Sequence, residues 1–285
     1  MTRVAIVVPT FNGVLRTRFF LDTIKRNDPH ALDDVPVFIV EDPCFNIGAE
    51  RAEKVRDEYD QLELDYPVQV FHSEKWLNMH GAARYAFDIA FRECNPDWVI
   101  YFGDDLAATP NSVSNLLYFL RSNPLETVSL VGIPYWNAQD LAINSEKEYD
   151  GPELFATKER GFYRNMDWTD KVPLNPHWQE GDGYPAGIAR PYVNVNGAGF
   201  ACKSETYRKI GGFQEGTWCL DETISVKTWI RTDQSIVALP GPPFVHYFGA
   251  ATGAGTPNHD LHTNERWESA MGMTKKTADD LCRQA

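Results

Sequence analysis

The sequence predicts an α/β domain built on a mostly parallel sheet. Short runs rich in β-branched residues recur through the first 135 residues: "RVAIVVP" (3–9), "VPVFIVED" (35–42), "PVQVFH" (67–72), "DWVIYFG" (97–103) and "TVSLVGIP" (127–134). Segments of helical spacing separate them. The first run is continuously apolar and not alternating, as expected of a strand covered on both faces. Strand and helix alternating at these lengths is the pattern of a βαβ succession.

The elements follow in order. Val14 to Arg26 reads as a helix, because Leu15, Phe19, Phe20 and Ile24 recur at helical spacing. Residues 47–62 are charged and helix-like, and residues 79–93 place Ala83, Phe87 and Phe91 on one stripe. Pro110 opens a helix that runs to Arg121. Residues 136–192 then break the pattern. They are polar and rich in glycine, proline and aromatics, and too long for an ordinary connection, so they are expected to be functional. Order returns at 192–213 as a strand and a short helix, then a helix at "LDETISVKTWIR" (220–231), a strand "SIVAL" (235–239) and a last apolar stretch at "PPFVH" (242–246). No internal repeat or linker is visible. The expectation is one domain over 1–262, with halves at 1–135 and 136–262, and a helical tail at 263–285.

Composition narrows the function. A formal net charge of −13 argues against a free-standing binder of nucleic acid or anionic membrane, although a local basic patch is compatible with it. No run approaches the length of a membrane span, and "RVAIVVP" reads as a first strand and not as a signal peptide. The five cysteines are scattered, with no C-x-x-C pair, as reduced thiols of a cytoplasmic protein would be.

The chemistry concentrates at strand ends. "FGDDLAATP" closes the fourth strand with Asp104 and Asp105. Two readings stand on these residues alone. Asp is favoured in a capped turn before a helix. Equally, one or two carboxylates at the carboxyl end of a parallel strand can hold a divalent cation whose shell substrate phosphates complete. The second strand ends in another acidic pair, Glu41-Asp42, and Asp221-Glu222 opens a late helix. His246 follows the last apolar stretch, where a lone histidine is either a structural residue or a ligand. His259 and His262 have ligand-like spacing but lack the glutamate of a hydrolytic zinc motif, and read as surface. No P-loop is present.

Five segments in order, "VAIVVPTFNG", "VFIVEDPC", "NMHGAARYAFDIA", "FGDD" and "IGGFQEGTWCLDET", resemble the motifs of family 2 glycosyltransferases of the GT-A (nucleotide-diphospho-sugar transferase) Rossmann-like fold, over roughly residues 3–250. The resemblance implies transfer of a sugar from a nucleoside diphosphate sugar, with a bias towards UDP, to an acceptor hydroxyl, with inversion, assisted by Mn2+ or Mg2+. The acceptor classes left open are glycan, lipid, protein and modified nucleobase. Carried over, it implies a nucleotide pocket of Pro9, Thr10, Phe11, one of Glu41 and Asp42, Arg84 and Asp104. Asp104 would face the ribose, and Asp105 and His246 the metal. The catalytic base would be Glu222, with Asp221 as its rival. The chain departs from the family in three places. Gly103 stands where the Asp-x-Asp motif has its first acid. Pro43 follows Glu41-Asp42. The last acidic pair reads Asp-Glu instead of Glu-Asp.

In such a reaction negative charge develops on the departing diphosphate, and a Lewis-acid cation stabilises it. The acceptor needs a carboxylate within hydrogen-bond reach. Glycines 249, 253 and 255 would let a loop close over the donor. Among the aromatics Trp136, Trp168, Trp178 and Tyr184, one or two would form a sugar platform. Lys158, Arg160, Arg164 and Arg190 read as solvated surface or as charge for an anionic acceptor. Two alternatives are a sugar-phosphate nucleotidyltransferase, for which "PTFNGVLRTR" is a poor glycine-rich loop, and a degenerate homologue that binds without catalysis.

Overall fold

The computed structural model describes residues 2–10, 14–42, 49–62, 67–122, 127–133, 135–137, 190–191, 195, 197–214, 220–232, 234–239 and 244–246, with positions 268, 271, 272 and 277. Eleven strands and six helices lie within them. In chain order they are β1 (Val4–Thr10), α1 (Val14–Asn27), β2 (Val37–Glu41), α2 (Ala49–Asp60), β3 (Val68–His72), α3 (Asn78–Glu93), β4 (Trp98–Phe102), β5 (Leu106–Ala107), α4 (Ser112–Ser122), β6 (Val128–Gly132), β7 (Tyr135–Asn137), β8 (Arg190–Pro191), β9 (Gly199–Lys203), α5 (Ser204–Ile210), α6 (Leu220–Arg231), β10 (Ser235–Ala238) and β11 (Phe244–His246).

The central sheet has eight strands in the order β3-β2-β1-β4-β9-β6-β10-β8. The pairs β3–β2, β2–β1, β1–β4 and β6–β10 are parallel. β9 lies antiparallel between β4 and β6, and β8 is antiparallel at the edge. The five strands expected in the first half all form. The fifth strand in chain order is an addition: β5 leaves the main sheet and joins β11 and β7 in a three-stranded sheet of its own. Strands of two and three residues carry too little periodicity to be read from sequence.

Each face of the central sheet buries a separate core. α1, α2 and α4 cover one face, packing Phe20, Leu21, Ile24, Val55, Tyr59, Leu116 and Leu120 against Ile6, Val8, Ile39 and Ile100. α3, α5 and α6 cover the other. There Phe87 stacks on Tyr207 at 4.5 Å and meets Phe213 edge-on at 4.9 Å. Fully burying a side chain of this size contributes about 1.5–3 kcal/mol. α3 starts at Asn78, whose side-chain oxygen accepts the N–H groups of His80 (3.0 Å) and Gly81 (3.3 Å), satisfying donors the first turn leaves open.

Two features aim the chain at the carboxyl ends of the strands. The first is a fork between β1 and β4. Chain order runs outward from β1 to β2 and β3, then crosses back to β4 on the other side. This is the switch point at which open α/β sheets bind ligands. The β1–β4 ladder stops at Val7–Tyr101, whereas β1–β2 continues to Thr10–Glu41. Pro9, which has no N–H to give, falls where pairing to β4 has ended. The second is the anchoring of α6. Lys227 Nζ donates to the Gly212 carbonyl, and an Arg231 guanidinium nitrogen donates to the Ile210 carbonyl at 2.7 Å. These side chains satisfy carbonyls at the end of α5 that the helix itself leaves open. Burial lowers the Lys227 ammonium to about 8.

Gly211 and Gly212, from the "IGGF" segment, have φ of +77° and +70°. A Cβ on Gly211 meets nothing nearer than an Arg231 nitrogen at 3.7 Å, but one on Gly212 lies 3.0 Å from Tyr207 Oη. Gly211→Ala is therefore expected to cost about 1 kcal/mol for backbone strain alone. Gly212→Ala should cost distinctly more, about 2 kcal/mol or above, because crowding adds to the strain. Urea unfolding of both variants checks the order.

Candidate active site

The fork between β1 and β4 gathers the acidic residues. Thr10, the last residue of β1, donates its hydroxyl to Asp104 Oδ2 at 2.6 Å. Arg16, one turn into α1, brings a guanidinium nitrogen to the same oxygen at 3.1 Å, and both side chains of this ion pair are 5% exposed. Beneath them Tyr59 of α2 hydrogen-bonds Thr10 and Thr17, each at 2.8 Å. Burial holds the Asp104 carboxyl above its ordinary value, opposed chiefly by Arg16. Burial and the nearby Asp104 charge hold the Tyr59 phenol protonated.

Sequence reasoning missed Arg16, Thr17 and Tyr59. The apolar stripe of α1 identified the face that packs on the sheet. It did not show that the same helix buries Arg16 and Thr17 towards the fork.

Asp105 takes a different partner. β11 runs antiparallel to β5, with His246 opposite Leu106. This register brings His246 Nε2 to 3.4 Å from Asp105 Oδ2, each side chain being 12% exposed. Burial pushes the Asp105 carboxyl up. The charge and hydrogen bond of His246, with Arg16 behind, outweigh it and leave the group below its ordinary value. The pair fits a divalent ion. Oxygen and nitrogen donors about 2.1 Å from one metal stand about 3 Å apart when adjacent in its shell. No group of three or more acidic, histidine or cysteine side chains suited to a metal occurs among the described residues. Asp105 and His246 would supply two donors to such an ion, which also takes oxygens of substrate phosphates and water.

Asp221, in the first turn of α6, accepts the Gly197 N–H at 2.9 Å, just ahead of β9. Ser225 of the same helix holds the Val195 N–H at 3.1 Å. Burial raises the Asp221 carboxyl, opposed by amides at the start of its own helix and by Gly197. The buried Tyr101 hydroxyl is kept protonated by burial and then by the charges of Asp105, Asp104 and Asp221. One phenol therefore senses all three acids. Glu222 is half-buried in the same turn.

The pair ending β2 divides between two faces. Glu41 is fully buried and is met by His72 Nδ1 at 3.1 Å and Arg56 Nε at 4.0 Å. His72 continues to Asp60 at 2.9 Å. Asp42 accepts the Leu77 N–H at 2.8 Å and the Ser73 hydroxyl at 3.0 Å. Burial nevertheless pushes its carboxyl up to about 7. Arg84 is exposed on α3, and its charge is felt at Asp88, Tyr207 and Lys227. Pro9 is half-buried beside Thr10.

Phe11, Pro43, Trp168, Trp178, Tyr184, Lys158, Arg160, Arg164, His259, His262 and the glycines at 249, 253 and 255 lie outside the described residues, as does nearly all of the segment 263–285. Trp136 and Arg190 are described in backbone only. Cys94 and Cys202, the two cysteines among the described residues, are free thiols.

The sequence pattern of glycosyl transferase family 2 matches residues 5–176, more than half of the chain and all of the fork. The chain belongs to glycosyl transferase family 2. It is a glycosyltransferase, and its α/β sheet is the GT-A fold. Similar solved structures include a mannosyltransferase from Pyrobaculum calidifontis in complex with GDP-Man and Mn2+, 15% identical with a TM-score of 0.55, covering 99% of this chain and 68% of that one. GalNAc-T7 with UDP, GalNAc and Mn2+ is 14% identical with a TM-score of 0.62, over 98% of this chain and 49% of the other. Residues 1–349 of S. aureus TarS are 10% identical with a TM-score of 0.53, over 99% and 69%. The glycosyltransferase thus spans about half the length of GalNAc-T7. No curated protein sequence matches it. Among the described residues, no helix is long and apolar enough to cross a membrane.

Asp42 gives this subsection its prediction. Folded Asp42 holds its proton more tightly than an ordinary aspartic acid of value 3.8. Its contribution to stability is therefore complete at the acid end and lost as pH rises through about 7. Asp42→Asn keeps the oxygen that Leu77 and Ser73 use, and removes the titration. The stability of wild type relative to this variant should fall between about pH 4 and pH 8 and then level. Denaturant titrations across that range test it, and a flat difference would refute it.

Proposed function

We propose that this glycosyltransferase transfers a sugar from a nucleoside diphosphate sugar, with uridine as the expected nucleotide, to an acceptor hydroxyl with inversion. Mn2+, or Mg2+ in its stead, would be held by Asp105 and His246. The observation that carries the reading is the 3.4 Å approach of these two donors at the carboxyl end of β4. A divalent ion bound there would act as a Lewis acid towards the departing diphosphate.

The chain's own residues divide the remaining work. Thr10 and Arg16 fix one oxygen of Asp104, so that its carboxylate faces the ribose in one orientation. Asp42, closing β2 beside the fork, accepts an N–H of the base. Its charged form is the stronger acceptor, so nucleotide binding should strengthen as pH rises through about 7. Arg84 and Pro9 complete the nucleotide side of this reading. Its Glu41 is a support, tied by His72 and Arg56. For the general base the geometry favours Asp221 over Glu222. Asp221 is tethered through Gly197 to the strand beside β4, and its raised carboxyl suits proton uptake from an alcohol.

Two variants separate these roles. Asp105→Ala should abolish the increment that Mn2+ adds to UDP affinity in calorimetry, leaving metal-free binding unchanged. Asp221→Asn should lower kcat by about 10²–10⁴-fold with little change in donor KM. The corresponding change at Glu222 should cost less. A panel of nucleotide sugars with Mn2+ identifies the donor. Absence of both transfer and donor hydrolysis, with nucleotide still bound, would overturn the catalytic assignment.

A further inference from the structure

Three residues stand in register across the carboxyl ends of the first three strands: Thr10 of β1, Glu41 of β2 and His72 of β3. Each is met by one side chain of α2. Tyr59 reaches Thr10 at 2.8 Å, Arg56 lies 4.0 Å from Glu41, and Asp60 meets His72 at 2.9 Å. Arg56 also donates to the Ser73 carbonyl at 3.0 Å. Residues three and four apart share one face of a helix, so α2 turns a single polar seam to all three strand ends. The Tyr59 ring on that seam is fully buried in the same core as Val55.

The placing of hydrogens gives the seam a direction. A threonine hydroxyl has one hydrogen and two lone pairs, and a carboxylate only accepts. The 2.6 Å bond from Thr10 to Asp104 Oδ2 therefore uses the Thr10 hydrogen. The 2.8 Å bond between Thr10 and Tyr59 is then donated by the phenol. With the phenol hydrogen committed there, Thr17 is the donor in its own 2.8 Å bond to Tyr59. The longer approach of Thr17 to Thr10, 3.2 Å, has Thr17 as donor too. Three hydroxyls thus run in series, Thr17 to Tyr59 to Thr10, and end on the Asp104 carboxylate. Each bond polarises the next, and the last is made to an ion, so the strongest of the chain falls on Asp104.

We infer that Tyr59 is a positioning residue for the donor's ribose: without touching Asp104, it commits the Thr10 hydroxyl to that carboxylate and so sets how Asp104 faces the sugar. Without the phenol, the Thr10 oxygen loses a donor, its bond to Asp104 weakens, and the carboxylate gains freedom to turn. The ribose part rests on the reading of Asp104 given above. The coupling of Tyr59 to Asp104 does not, and the experiment separates the two.

Calorimetry with UDP and with 2′,3′-dideoxy-UDP tests the ribose part; GDP and its dideoxy form serve if wild type binds those instead. Tyr59→Phe keeps the ring and removes the hydroxyl. It should lose about 3–10-fold in affinity for the ribonucleotide and stay within about twofold of wild type for the dideoxy form. Arg16 still holds Asp104, so the loss is partial. In an Asp104→Asn background the same change should cost neither nucleotide more than about twofold. Without ligand, Tyr59→Phe should lower Tm by about 2–4 °C in wild type and by at most about half as much in the Asp104→Asn background, because the charged end of the chain is gone.

An equal loss for both nucleotides, or none for either, would overturn the inference, because Tyr59 would then support the fold at large and not the ribose. Equal Tm losses in both backgrounds would overturn the coupling. If wild type binds ribose and dideoxy forms alike, or neither, the ribose reading of Asp104 fails while the stability comparison still decides whether Tyr59 acts on that acid. Should Asp104→Asn not fold, Thr10→Val takes its place with the same expectation, since it breaks the chain one link before the carboxylate.

Discussion

The structure turns on accommodating two adjacent carboxylates at the end of a strand that is otherwise sealed from water. β4 is buried along its whole length, and Asp104 and Asp105 follow it directly. For Asp104 the compensation is Arg16 at 3.1 Å. At an effective dielectric of about 20, such a pair attracts by about 5 kcal/mol. Desolvating two ions costs several kcal/mol each, so the pair is close to neutral for stability. Its value is orientation: a carboxylate whose Oδ2 is fixed by Thr10 and Arg16 presents its other oxygen in one direction. For Asp105 the Arg16 charge stands behind a different partner. This acid faces His246, a side chain that can be neutral and can share a metal.

This division has structural prerequisites. β1 and β4 must part at the right place, and Pro9 helps by withholding a donor where the ladder ends. His246 must be carried to Asp105 from far along the chain, which the small sheet of β5, β7 and β11 does by backbone pairing. Asp221 must be held against the same fork. Lys227 and Arg231 lock α6 to the end of α5, and Gly197 ties the start of α6 to the approach of β9. The acids are thus supported by three separate parts of the fold.

Much of this was legible in the sequence. The continuous apolar runs of β1, β2, β4 and β6 announced strands covered on both faces, and the helices between them followed from spacing. The acids were visible as pairs at strand and helix ends, and the order of five motifs pointed to the family that the chain belongs to. Arg16, Thr17 and Tyr59 were not legible, because local sequence gives no sign of a partner that lies 40 to 90 residues away. Nor was the insertion of β9, running antiparallel, between β4 and β6. A strand's periodicity reports its burial and carries no information on its neighbours.

By itself, then, the sequence determined the alternating α/β architecture, the positions of the acids along it, and the absence of an acid at 103. The tertiary structure alone decided which partner each acid meets. It paired Asp104 with Arg16, set Asp105 against His246, and gave Asp221 the Gly197 N–H. The reason is physical. Hydrophobic periodicity is a local property that a chain carries along its length, whereas charge compensation and excluded volume are set by whatever the fold brings within about 4 Å.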